Sequence, residues 1–140
     1  MINDFHVDKY RFLSNFYPAE VEWNGIKYPT VEHAYQAAKT LNPKEVELIR
    51  TATTPGKAKQ LGKVVTKIPG FDILKIDVMR VLLYQKFDIP ELKQKLLDTG
   101  DENLVEGNNW KDTFWGVYNG YGENHLGRLL MEVRAKLKND

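Results

Sequence analysis

Glu32, Gln36 and Lys39 follow one another at spacings of four and three residues in the stretch "PTVEHAYQAAKTLNP", Pro29 to Pro43. On a helix such spacings gather side chains on one face. Projected at about 100° per residue from Val31, Lys39 lies near 80°, Glu32 near 100° and Gln36 near 140°. The apolar Leu41, Ala34, Ala38, Val31 and Tyr35 fill the arc from about 280° through 0° to about 40°, so the polar strip borders the face turned to the core. A carboxylate, an amide and an ammonium in that position would line the wall of a cleft and converge on one ligand. The same residues also suit an exposed helix, where Glu32 complements the dipole in the first turn and Gln36 and Lys39 are good helix formers. Spacing leaves both readings standing. His33, near 200°, points elsewhere and reads as a cap-region or packing residue.

A second concentration lies in "DTFWGVYNGYGENHLGRLL". An expected strand runs into Gly120-x-Gly122 and a helix beginning near Asn124, an order that can aim backbone N–H groups at a phosphate. The dinucleotide fingerprint fails there, because His125 stands in the third glycine position. Asn124 reads equally as an N-cap and Gly127 as a close helix-packing residue. In "RFLSNFYPAE" the aromatics Phe16 and Tyr17 follow Ser14 and Asn15, a composition suited to stacking on a base, and Trp110 and Trp115 flank Asp112. Each of these aromatics has a core role as its alternative. "GKAKQLGKVVTK" sets four lysines around an apolar stripe, a solvated face or a surface for phosphates.

Other chemistry is excluded by what is missing. There is no cysteine, so no thiolate nucleophile, disulfide or cysteine-bound metal. His6, His33 and His125 are scattered and form no metal-binding pair, and Ser14 sits in no nucleophile elbow. The expectation is therefore a metal-free, cofactor-free site. Lys plus Arg (20) nearly balances Asp plus Glu (19), so any hold on nucleic acid must come from a local patch. No apolar run is long enough for a membrane span and "MINDFHVDKY" lacks the form of a signal peptide, which gives the cytoplasm, of a cell or an infected host, as the expected location.

The elements that must hold these residues follow from the punctuation of the chain. Asn24-Gly25 between two alternating runs predicts a hairpin near residues 20–28. Thr30 is the expected N-cap of a helix over 31–41, which Asn42-Pro43 ends. Further helices are expected at 44–52, 56–66, 72–87 and 90–98, and an amphipathic one closes the chain. The helix at 72–87 is apolar almost all round, which would draw Arg80 and Lys86 toward buried surroundings and anionic partners. "NLVEG" and "TFWGVY" read as short strands. With 140 residues, 42% of them hydrophobic, the expectation is a single α+β domain over 1–140, mainly helical with a few short strands.

Taken in order, "FLSNFYP", "PTVEHAYQAAK", "LLDTGDENLVEG", "DTFWG" and "GENHLGRLLMEVR" resemble the successive blocks of the NADAR, or YbiA-like, family across roughly residues 11–137. The resemblance implies a compact, mainly helical fold and an N-glycosidase. Some members cleave phosphoribosylamino-pyrimidine intermediates of riboflavin synthesis, and others remove ADP-ribose from modified guanine, free or in DNA or RNA. Carried over by position, the implied site takes Glu32, Gln36 and Lys39 from the helix block, Asn15 and Phe16 from the first block, Asp112 and Trp115 from "DTFWG", and Asn124 with Gly127 from the last. The loop from Gly120 through Gly122 to Asn124 would hold a phosphate. Val117 and Tyr118 stand where a second glycine is expected after "WG", which leaves substrate choice open.

In such a reaction positive charge builds at ribose C1 and negative charge on the departing nitrogen. Glu32 is then the group that activates water or stabilises the ribosyl cation, and Asp112 orients the ribose or assists proton transfer. Lys39 protonates the leaving group, binds phosphate, or attacks C1 of the opened sugar to form a Schiff base. The alternatives are a module that binds ADP-ribose or a related nucleotide without cutting it, and a nucleic-acid-binding domain that uses the lysine-rich helix.

Overall fold

A computed structural model describes residues 1–140, and the fold is α+β and mainly helical, with one two-stranded sheet. Backbone packing divides the chain into two units, Asn15–Lys86 and the pair of segments Met1–Ser14 and Phe87–Asp140.

In the unit Asn15–Lys86, strands β1 (Val21–Trp23) and β2 (Ile26–Tyr28) form the expected antiparallel hairpin, with Val21 opposite Tyr28. Asn24 and Gly25 both take positive φ, 52° and 77°, as a two-residue turn that matches strand twist demands. Helices α1 (Val31–Ala37), α2 (Pro43–Arg50), α3 (Pro55–Gly62) and α4 (Phe71–Lys86) follow, and α1 packs against the other three. Proline opens both α2 and α3, where its missing N–H is no loss, and Asn42 and Thr54 cap them. Being enclosed on three sides explains why every residue of α1 is buried, polar ones included.

Helix α1 is shorter than expected. Its regular bonding ends at Ala37, and Lys39 and Thr40 turn back to the carbonyls of Gln36 and Ala37 in a tightened last turn. Leu41 consequently leaves the core-facing arc and is 73% exposed, against the expectation from helical projection.

Lys86 in α4 is fully buried, its ammonium 5.9 Å from the Tyr17 ring centroid. Burial pushes its pKa down to about 7. The folded chain releases this proton near pH 7 while the unfolded chain keeps it to about 10.5, so stability rises with pH across that window. Below pH 7 the cost of the buried charge is felt in full, on the order of 3–5 kcal/mol. Denaturant midpoints of wild type and Lys86→Met should therefore differ most below pH 7 and converge toward pH 10. Parallel pH curves would contradict this. Arg80 pairs with Asp77 one turn away, at 2.5 Å.

The other unit holds a 3-10 helix at Asp8–Leu13, α5 (Pro90–Asp98) and α6 (His125–Lys138). Leu126, Leu129, Leu130 and Val133 bury one face of α6, as its periodicity requires. The expected strands at "NLVEG" and "TFWGVY" are not formed. Isolated bridges alone link Ile2 with Leu104, Gly107 with Val117 and Tyr118 with Tyr121, because side-chain bonds from Asn108 and Asn124 take over the pairing of this backbone.

Candidate active site

Thr30 begins α1 as a true N-cap: its hydroxyl accepts the His33 backbone N–H at 3.1 Å and lies 2.8 Å from His33 Nδ1. The other ring nitrogen of His33 donates to the Ala52 carbonyl at 3.0 Å. His33 is thus a cap and packing residue as expected, but it is buried, although its angle near 200° turns it away from the apolar arc.

With the helix start fixed in this way, Glu32 lies inside the protein, only 8% exposed. Its backbone N–H donates to the Asn15 carbonyl at 3.1 Å, which ties the "SNF" segment to the first turn of α1. One turn on, Gln36 is 5% exposed and its amide Nε2 donates to Glu32 Oε2 at 3.0 Å. A buried carboxylate demands such donors, since isolated burial of its charge is prohibitive.

Lys39 stands just past the helix end, half-buried, with its ammonium 5.5 Å from the Tyr35 ring centroid and in no hydrogen bond or ion pair. Burial lowers its pKa from the ordinary lysine value. The Glu32 charge opposes that shift, while Lys67 and Lys75 reinforce it. The trio therefore combines a carboxylate oriented by an amide with an ammonium inclined to give up its proton. Two buried acceptors, Asn15 Oδ1 and Gln36 Oε1, have no hydrogen-bond partner, an arrangement that proteins rarely leave without a use. Phe16, next to Asn15, is 42% exposed and presents an aromatic face outside the core.

A groove of about 220 Å³ follows Lys39 in the chain, lined by Thr40, Leu41, Asn42 and residues 66–69. Its polar groups are already engaged, Thr40 with Glu45 at 2.6 Å and Lys67 with Asp72 at 3.2 Å, so it adds no free group to the site.

In the other unit, Asp112 closes a turn. Its Oδ1 accepts the backbone N–H groups of Phe114 and Trp115 at 3.1 and 2.9 Å, and Asn108 bonds to both its N–H and its carbonyl. Trp115 packs edge-on against Phe114. Asn124 adopts φ 54° and gives no side-chain cap to α6. Its side chain instead accepts from Glu106 N and donates to the Leu104 carbonyl, both at 3.0 Å. The N–H groups of His125 and Leu126, which a phosphate would need, donate to the carbonyls of Phe114 and Trp115. A Cβ on Gly122 would stand 2.1 Å from the Gly116 carbonyl oxygen, and one on Gly127 2.2 Å from that of Leu104. Close backbone approach accounts for both glycines.

Asn108 and Glu106 escaped the sequence reading. Asn108 Nδ2 donates to the buried Glu106 carboxylate at 3.1 Å, and the signal available was the Asn-x-x-x-Asp spacing ahead of an aromatic pair. No three His, Cys, Asp or Glu residues lie together as a metal site would require, and no helix is long and apolar enough to cross a membrane.

A small α+β fold with a buried carboxylate and amide on one helix and a half-buried lysine just past its end defines a class, and comparison with known proteins gives it a family. The NADAR domain matches residues 4–138, and the chain belongs to that family. It is 39% identical over 137 residues to the N-glycosidase Npun_R5314 of Nostoc punctiforme, covering 93% of this chain and 87% of the relative. The NMR structure of the Escherichia coli protein YbiA superposes with a TM-score of 0.86 at 36% identity, covering 99% of this chain and 86% of that one. The riboflavin biosynthesis protein VVA0006 of Vibrio vulnificus is 36% identical over 135 residues; the match covers 94% of this chain but 36% of that protein.

Proposed function

We propose that this chain, an N-glycosidase by kinship, hydrolyses the bond between ribose C1 and a base nitrogen in a ribosylated nucleotide. The substrate is guanine carrying ADP-ribose, as nucleotide or within nucleic acid, or a phosphoribosylamino-pyrimidine. The observation that carries the reading is the buried Glu32 carboxylate, oriented by Gln36 and neighboured by a lysine with no ion pair.

Glu32 faces the sugar and stabilises the cation that builds at C1 or takes a proton from the attacking water, while Lys39 gives a proton to the departing base. Asn15 Oδ1 accepts from a substrate hydroxyl or amino group, and Phe16 stacks on a base. Asp112 is given no step here, since its Oδ1 is committed to the turn of its own unit.

The lowered pKa of Lys39 favours a second route. The ribose ring opens at its C1–O bond and the neutral amine replaces the base nitrogen at C1 as an imine, its two protons passing to the ring oxygen and the departing base; water then hydrolyses the imine and restores the amine.

The test is incubation of the protein with ADP-ribosylated guanosine, ADP-ribosylated DNA and the pyrimidine phosphoribosyl compound, with released base detected by mass. Release from at least one is expected. Intact recovery of all three, with tight binding, would make the chain a binding module instead.

A further inference from the structure

Gly62 ends α3 within the "GKAKQLGKVVTK" segment, noted in the sequence for its lysines alone. It has no left-handed φ, so conformation does not call for glycine, and in a helix glycine costs about 1 kcal/mol against alanine. Space calls for it. A Cβ at residue 62 would stand 1.8 Å from Gln36 Oε1, 2.6 Å from Gln36 Cδ and 3.1 Å from Gln36 Cβ. The Gln36 amide thus lies across the bare face of Gly62, in the volume that any other side chain would take.

The opposite edge of the same amide donates to Glu32 Oε2 at 3.0 Å. Reversing the amide would set its oxygen against the carboxylate, so the order is fixed, with nitrogen toward Glu32 and oxygen toward Gly62. That oxygen is buried with no hydrogen-bond donor. A neighbour that must be bare, an amide held flat against it and a carboxylate at its far edge form one chain of contacts.

We propose that Gly62 is a positioning residue for Glu32, acting through Gln36: the missing side chain lets the amide lie where it holds the carboxylate in its working orientation. The proposal rests on reading Glu32 as the group that faces the ribose.

Its test compares Gly62→Ala, Gln36→Ala and the double variant in three measurements: kcat and KM for base release, the titration of Glu32 followed by carbon-13 NMR, and melting temperature. Gly62→Ala should lower kcat about ten- to a hundredfold, as a displaced catalytic group does, with KM changed much less. Both single variants should raise the midpoint of the Glu32 titration, because each removes a hydrogen bond to the charged form. The double variant should match Gln36→Ala in kcat and melt above Gly62→Ala, since the added methyl then has room.

The proposal is overturned if Gly62→Ala lowers melting temperature while leaving kcat and the Glu32 titration at wild-type values, or if the two losses in kcat multiply. The titration and the melting rescue need no substrate. Should wild type release no base while both appear, the glycosidase reading falls and the coupling stands.

Discussion

Glu32→Gln should lower kcat by about two to three orders of magnitude while the protein stays folded. The change keeps the shape of the side chain and leaves an oxygen that can still accept from Gln36 Nε2, so the bond at 3.0 Å need not be lost. What disappears is the negative charge. At a site only 8% exposed, that charge acts on the developing ribosyl cation with little screening by water. Removing a buried carboxylate also relieves its desolvation, so the melting temperature should hold or rise. A full rate of base release by Glu32→Gln would show that another group carries the charge.

Lys39→Met should cost about 10²–10⁴-fold in kcat, the range for a lost proton donor or nucleophile, and Met keeps the buried stem in place. The pH profile separates the two roles through the sign of Lys39 titration. Its pKa is lowered, so the neutral amine is reached at lower pH than for a free lysine. If the amine attacks C1, the rate climbs as pH rises through that value and then levels. If the ammonium protonates the leaving base, the rate falls over the same interval. Borohydride added during turnover should trap a covalent adduct in the first case and none in the second, and Lys39→Met should abolish both the adduct and the limb.

Much of this was legible before the structure, and the reasons are local. Asn24-Gly25, Thr30 and Pro43, Pro55 and Pro90 act within a few residues of themselves, so hairpin, cap and helix starts lie where those residues put them. Glu32 and Gln36 were marked by their angle beside the apolar stripe. What angle alone did not reveal was that both are buried, because that depends on α2, α3 and α4 closing around α1.

Other features needed contacts from distant parts of the chain. Asn124 sits where a cap belongs, yet its side chain spans Leu104 and Glu106, some twenty residues earlier. Leu41 fitted the apolar arc of an ideal helix, but the turn tightens at Lys39 and releases it. Gly62 reads as an ordinary helix-end glycine until Gln36 is found lying on it.

The central claim is that the bond cleaved joins ribose C1 to the base. Turnover in oxygen-18 water addresses it directly, with products weighed at once after quenching. The account predicts one labelled oxygen on the sugar product, none on the released base, and product formed about a hundred- to a thousandfold more slowly by Glu32→Gln. Label on the base, or sugar and base still joined after prolonged incubation, would contradict it.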